Sequence, residues 1–309
     1  LVFQPEEAIG YFGGDPDNFT FPRYNLDCTF YRVYGEDGKP IKSEHFYQWS
    51  KNGAAEGELV FTVGNPGSTN RLRTVAQLEY LRDVQYRNLS FMMNSLYNKL
   101  EELKSVNPTR ADEYEKLRLG FSNGWKSITS TYKALLDPYL LARKMDFEKK
   151  AKEFVNNDPE LKETYGGVWK SIEMTRAELK EIDKQLAAFT ANNTYSARYW
   201  LIANELVRYA KQMQLPEDKR DTTLKSKRYL EMRNNLFPKN YDPVLEEAKL
   251  IINLDYLVLN LGSDHKLVSS FFNGLNSEAA AKKLIATTLF KDRETVLAMF
   301  EKSPEEILA

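Results

Sequence analysis

"LSFMMNSLYNKLEEL", Leu89 to Leu103, decides the fold class. Its apolar residues Leu89, Met92, Leu96, Leu100 and Leu103 are spaced 3, 4, 4 and 3 apart. At 3.6 residues per turn this spacing lines them along one side of an α-helix, whereas a strand would scatter them over both faces. The pattern returns at Ile172, Leu179, Ile182, Leu186 and Phe189, and again at Tyr199, Ile202, Leu206, Tyr209 and Met213. Each such helix is predicted to bury its apolar stripe and leave a charged face, as in "KEIDKQ", in water. The strict spacing lasts only two or three heptads at a time and no fixed repeat recurs, which favours a globular helical domain over a coiled coil or solenoid.

Outward from these helices the punctuation is regular. "NPTRADE" at 107–113, "NNDPE" at 156–160, "YGG" at 165–167, "LPEDK" at 215–219 and "FPKNYDP" at 237–243 break the periodicity. Asp158 before Pro159 and Asp242 before Pro243 each read as an N-cap followed by proline at the first helical position. Upstream of about residue 70 the texture changes. "CTFYRVY" alternates, "YGEDGKP" offers Asp-Gly at a hairpin turn, and "GELVFTVGNPG" is a β-rich run closed by Gly and Pro. Those 70 residues hold 9 of the 15 glycines. The chain is therefore predicted to be α+β and mostly α, with a β segment over 1–70 and a helical domain over 71–309.

With 43 basic and 44 acidic side chains the net charge is −1, so no basic field invites nucleic acid or an anionic membrane. No apolar run approaches the roughly 20 residues that span a bilayer. The single cysteine, Cys28, cannot close a disulfide within the chain. The opening "LVFQPEEAIGYF" reads as the middle of a strand and the closing "EKSPEEILA" has no clear ending, so the chain is expected to be part of something longer.

On residue chemistry alone no complete catalytic apparatus is present. Asp27 begins the alternating segment: it either caps a surface turn or is held inside to orient a histidine. Gly64 and Gly67 around Pro66 suit a tight turn, and no Lys-Ser/Thr follows to make a phosphate loop. Asp15, Asp17 and Asn18 alternate as oxygen ligands do in calcium loops, yet the Gly and distal Glu of an EF-hand are missing. The same acceptor-rich turn beside Phe19 could receive an ammonium group. His45 and His265 are lone histidines, and Trp49, Trp125, Trp169 and Trp200 read as packing residues rather than a ligand cage. No metal or cofactor is expected.

"GGDPDNFTFPRYNLDCTFYRVY", 13–34, and "EGELVFTVGNPGSTNR", 56–71, together resemble the bacterial serine dipeptidyl-peptidases of the dipeptidyl-peptidase 7 and dipeptidyl-peptidase 11 type. The motif Gly-Gly-Asp-x-Asp-Asn-aromatic-x-aromatic-Pro-Arg, followed shortly by Asp, is long and specific, and the resemblance continues into the helices at "FSNGWKSI". It implies a chymotrypsin-like double β-barrel with a large helical lid inserted in it, residues 1–70 being part of the barrel and 71–309 most of the lid. It also implies a periplasmic enzyme that removes dipeptides from the free N-terminus of peptides by Ser-His-Asp chemistry, with room for a homodimer of the full-length enzyme. Asp27 would be the triad aspartate; Asn18, Phe19 and the lid residue Asn123 would bind the peptide's ammonium. The family's histidine and serine would lie outside these 309 residues, so the chain alone is expected to be inactive. Tyr24 and Cys28 depart from the family pattern without touching a matched catalytic position. The alternative is a non-catalytic helical binding module with a degenerate triad.

Overall fold

The computed structural model describes residues 1–10, 26–61, 64 and 70–309. By its contacts the chain divides into two compact units, Leu1–Arg71 and Leu72–Ala309.

The first unit has a short helix, α1 (Glu7–Gly10), and two isolated antiparallel bridges, Phe3 with Phe30 and Tyr34 with Pro40. The second bridge flanks the turn that Asp-Gly promised. Ile41 N–H donates to Val33 O at 3.0 Å, and Gly35 N–H donates to Lys39 O at 2.9 Å. Gly38 sits at φ +73°, a conformation that disfavours any side chain. Asp37 completes the turn by accepting from Lys39 N–H at 3.0 Å.

The rest of the expected β segment does not form a sheet among the described residues. Leu59 and Phe61 of "GELVF" are 77% and 83% exposed, and Trp49 stands outside any core. The reason is that turn geometry is local, whereas a strand needs backbone partners and a packed face from distant segments; an isolated hairpin is marginal in water. The turn read at Gly64–Gly67 falls largely outside the described residues.

The second unit is helical. α2 (Val75–Tyr80) opens on a capping box between Thr74 and Gln77 and runs through a π-helical turn, Leu81–Gln85, into α3 (Tyr86–Val106). A short 3-10 turn, Pro108–Arg110, reverses the chain into α4 (Ala111–Leu135), and α3 and α4 pack along each other. α5 (Pro138–Asn156), α6 (Pro159–Tyr165), α7 (Val168–Phe189), α8 (Arg198–Met213) and α9 (Lys227–Asn234) follow. Then come α10 (Pro243–Leu261), α11 (Lys266–Phe272), α12 (Ser277–Thr287), α13 (Arg293–Met299) and α14 (Pro304–Leu308). Both expected caps are made: Asp158 accepts from Glu160 N–H at 2.9 Å, and Asp242 from Val244 N–H at 3.0 Å. No described helix is long and apolar enough to cross a membrane.

α10, "PVLEEAKLIINLDYLVLNL", has apolar residues on several sides and is the hub. Ala248 and Ile252 join Met92, Leu96, Leu100 and Leu103 of α3 and Tyr114 and Phe121 of α4. From another side Leu250, Leu254 and Leu257 meet Ala188 of α7, Val268 and Phe272 of α11, and Ala280 and Ala281 of α12. Ile202 and Leu206 of α8 form a further cluster with Leu236, Val296, Met299 and Phe300. Two of the three stripes read from sequence are thus buried.

The third is not. On α7, Ile182, Leu186 and Phe189 are 53%, 59% and 43% exposed. The helix turns a different side inward, where Ala188 enters the core, Lys180 Nζ meets Asp83 Oδ2 at 2.7 Å, and Asp183 accepts from the Tyr80 hydroxyl. Small and charged side chains are selected there because α7 packs on the π-helical turn, whose Arg82–Asp83 pair at 2.6 Å supplies a polar partner surface.

Candidate functional site

The lid asparagine matched by the resemblance, Asn123, lies on α4 between the buried pair Phe121 and Ser122 and the half-buried Trp125. Its own side chain is exposed. What fixes this stretch of α4 is a cross-helix network with α3. The Trp125 ring stacks on Tyr97 with centroids 4.0 Å apart and planes 10° from parallel, and its Nε1–H donates to Asn94 Oδ1 at 2.6 Å. Arg118 lies over the other ring of that stack, its guanidinium 4.9 Å from the Tyr97 centroid, and also donates to the Tyr97 hydroxyl.

Arg118 is held in turn by two carboxylates. Its Nε lies 2.9 Å from Glu115 Oε2 and 2.7 Å from Glu101 Oε1, and Lys104 Nζ reaches Glu115 Oε2 at 2.5 Å. The hydrogen bond from Arg118 is the main reason the Glu115 carboxyl titrates at about 2 instead of its ordinary 4.5, against the opposing pull of burial. The same bond raises Arg118. Because the Glu115 pKa is depressed on folding, its contribution is complete above pH 4.5 and is lost as pH falls from 4.5 towards 2. Glu115→Gln is accordingly expected to flatten the fall of Tm between pH 5 and pH 3, read by thermal unfolding; equal slopes in the two proteins would contradict it.

Asp27 lies in extended chain between Leu26, whose N–H donates to Ile9 O at 3.2 Å, and Phe30, which bridges to Phe3. Its side chain is exposed and makes no hydrogen bond or ion pair among the described residues. Of the two readings the sequence left open, neither a turn capped by Asp27 nor an imidazole against it is seen among the described residues, and the residues just before Leu26 lie outside them. Asn18 and Phe19, with Asp15 and Asp17, lie outside the described residues.

The remaining candidates have local roles. His265 caps α11, its Nδ1 accepting from Leu267 N–H at 3.3 Å, and His45 is exposed. Trp200 packs on the α7–α10 cluster, and Cys28 is free and half-buried. No group of three or more His, Cys, Asp or Glu among the described residues is placed to hold a metal. Sequence reasoning missed the Arg118 network. Its local signals were the i,i+3 pairs Glu115–Arg118 and Glu101–Lys104, which are indistinguishable in sequence from ordinary solvated helix pairs.

Comparison with known proteins supplies the class. The chain matches the Peptidase S46 family over residues 1–309 and belongs to that family. Among its relatives, the Asp/Glu-specific dipeptidyl-peptidase of Shewanella putrefaciens is 25% identical over 231 residues, covering 72% of this chain and 31% of that protein. Dipeptidyl-peptidase 7 of Porphyromonas gingivalis is 25% identical over 221 residues, or 68% of this chain and 30% of the relative. Dipeptidyl-peptidase 7 of Phocaeicola vulgatus is 28% identical over 168 residues, 50% of this chain and 23% of the relative. The matched region thus spans less than a third of the length of these curated relatives.

Proposed function

We propose that this chain forms part of a serine-type dipeptidyl aminopeptidase, contributing a peptide-recognition lid and one member of the catalytic triad. The observation that carries the reading is the family match over the whole chain, together with relatives named as dipeptidyl-peptidases. In this reading residues 1–70 complete a chymotrypsin-like β-barrel with strands from the rest of the protein, and 71–309 is the helical domain inserted in it. That would give "GELVF" and "CTFYRVY" the sheet partners their alternation calls for. The enzyme would act in the periplasm.

Dipeptide release requires a ruler. The substrate's α-ammonium must be anchored two residues from the scissile bond, so that only the second carbonyl carbon reaches the serine. Asn18, Phe19 and Asn123 would form this anchor, amide and carbonyl oxygens accepting the ammonium protons. Asp27 would hold an imidazole, supplied from outside these residues, in the tautomer that accepts the serine proton and then returns it to the leaving amine.

The defining experiment compares peptides with free and acetylated N-termini, using the full-length protein and mass spectrometry of the products. Free peptides are expected to shed successive dipeptides, while acetylated ones remain intact because they carry no ammonium. Cleavage of both at equal rates, or release of single amino acids, would overturn the reading.

A further inference from the structure

The N-terminal turns of α10 border a cavity of about 440 Å³ whose wall carries more uncommitted positive than negative charge. Its three carboxylates are already engaged. Asp242 caps α10, accepts the Tyr114 hydroxyl at 2.8 Å, and pairs with Arg110 Nη1 at 3.1 Å. Glu113 takes the other arm of Arg110 at 2.6 Å. Glu246 accepts the backbone N–H of Arg198.

Apart from Arg110, the cations of the wall, Lys116, Arg198 and Lys249, are not matched in the same way. Lys249 is only 5% exposed, yet the one partner its ammonium has among the described residues is Glu246 Oε1 at 3.9 Å, beyond hydrogen-bond length. An ammonium has three donors, and none of those of Lys249 has an acceptor within hydrogen-bond distance among the described residues. Lys116 and the Arg198 guanidinium, which also line the cavity, make no ion pair or hydrogen bond with described residues. Burial pushes the Lys249 pKa down; the Glu246 carboxylate opposes that, and the nearby Arg198 charge adds to it. An anion bound there would give this group and its two cationic neighbours a charged acceptor.

We propose that this cavity binds a small organic anion through a carboxylate or phosphoryl group. Lys249 would take its oxygens at the back, and the half-buried Arg198 and exposed Lys116 would take them nearer the solvent. The volume is that of a small-molecule site, and the half-buried Leu117 and Tyr241 offer apolar surface for the rest of the ligand. Neither lysine was singled out by its sequence context. The pocket assembles from α4, the start of α8 and α10, and the inference does not depend on the peptidase reading.

The test is calorimetric titration of the 309-residue chain with inorganic phosphate, succinate and uncharged succinamide, at ionic strength held constant with chloride. Saturable binding of phosphate or succinate is expected, with none of succinamide; which anion binds tells phosphoryl from carboxylate. Lys116→Gln and Arg198→Gln should each weaken binding about tenfold, the effect of one charge-assisted hydrogen bond. Lys249→Met should abolish binding while leaving the Tm of the ligand-free protein equal or higher, since it removes a poorly paired buried charge. If Lys249→Met fails to fold, the exposed Lys116→Gln still decides the matter. No saturable heat with either anion, or affinity unchanged in both Lys116→Gln and Arg198→Gln, overturns the proposal.

Discussion

Asp27→Asn in the full-length enzyme is expected to lower kcat by about 10⁴-fold with the fold intact. Asparagine has the shape of aspartate, but it can offer an N–H where the imidazole needs an acceptor. The histidine would then sit in the wrong tautomer, and its protonated form would lose the carboxylate that stabilises it. The loss should appear in kcat with dipeptidyl chromogenic substrates, while far-UV circular dichroism and Tm match the parent. Exposure of Asp27 in this chain makes the fold control favourable, because its side chain makes no hydrogen bond or ion pair among the described residues. Turnover within a few-fold of the parent would remove Asp27 from the triad.

Asn123→Ala should cost about 1.5–3 kcal/mol of transition-state binding, a ten- to hundredfold fall in kcat/KM, if its amide oxygen accepts from the substrate ammonium. Asn18→Ala should do the same. Since both would grip one ammonium group, the double variant should fall short of the sum of the single effects. The control is Tm: Asn123 is exposed on α4, whereas the register of that helix rests on Trp125, Tyr97 and Arg118. A variant that loses Tm and kcat/KM together would mark Asn123 as a residue of the helix pair. Unchanged kcat/KM would take it out of the anchor.

Legibility in the sequence followed the range of the interactions. Asp158 and Asp242 were readable as caps because an N-cap needs only its own next few residues. The Asp37-Gly38 turn was readable for the same reason. The stripe on α7 was readable as helical but not as exposed: periodicity tells which side chains share a face, not which face a neighbour covers. The strands of the first unit were readable as alternation, yet a sheet depends on partners far along the chain, and among the described residues these amount to the isolated Phe3–Phe30 bridge.

For this protein, then, local order determined the helices, their caps and one hairpin turn, and a specific motif around Asp27 pointed to its family. Only the tertiary structure decided that α10 is the hub, that α7 turns its polar side inward, and that Lys249 faces a cavity with Lys116 and Arg198. The physical reason is range. Backbone hydrogen bonds and turn geometry act over a few residues, while burial and side-chain hydrogen bonds join groups separated by a hundred or more, as Tyr114 and Asp242 are.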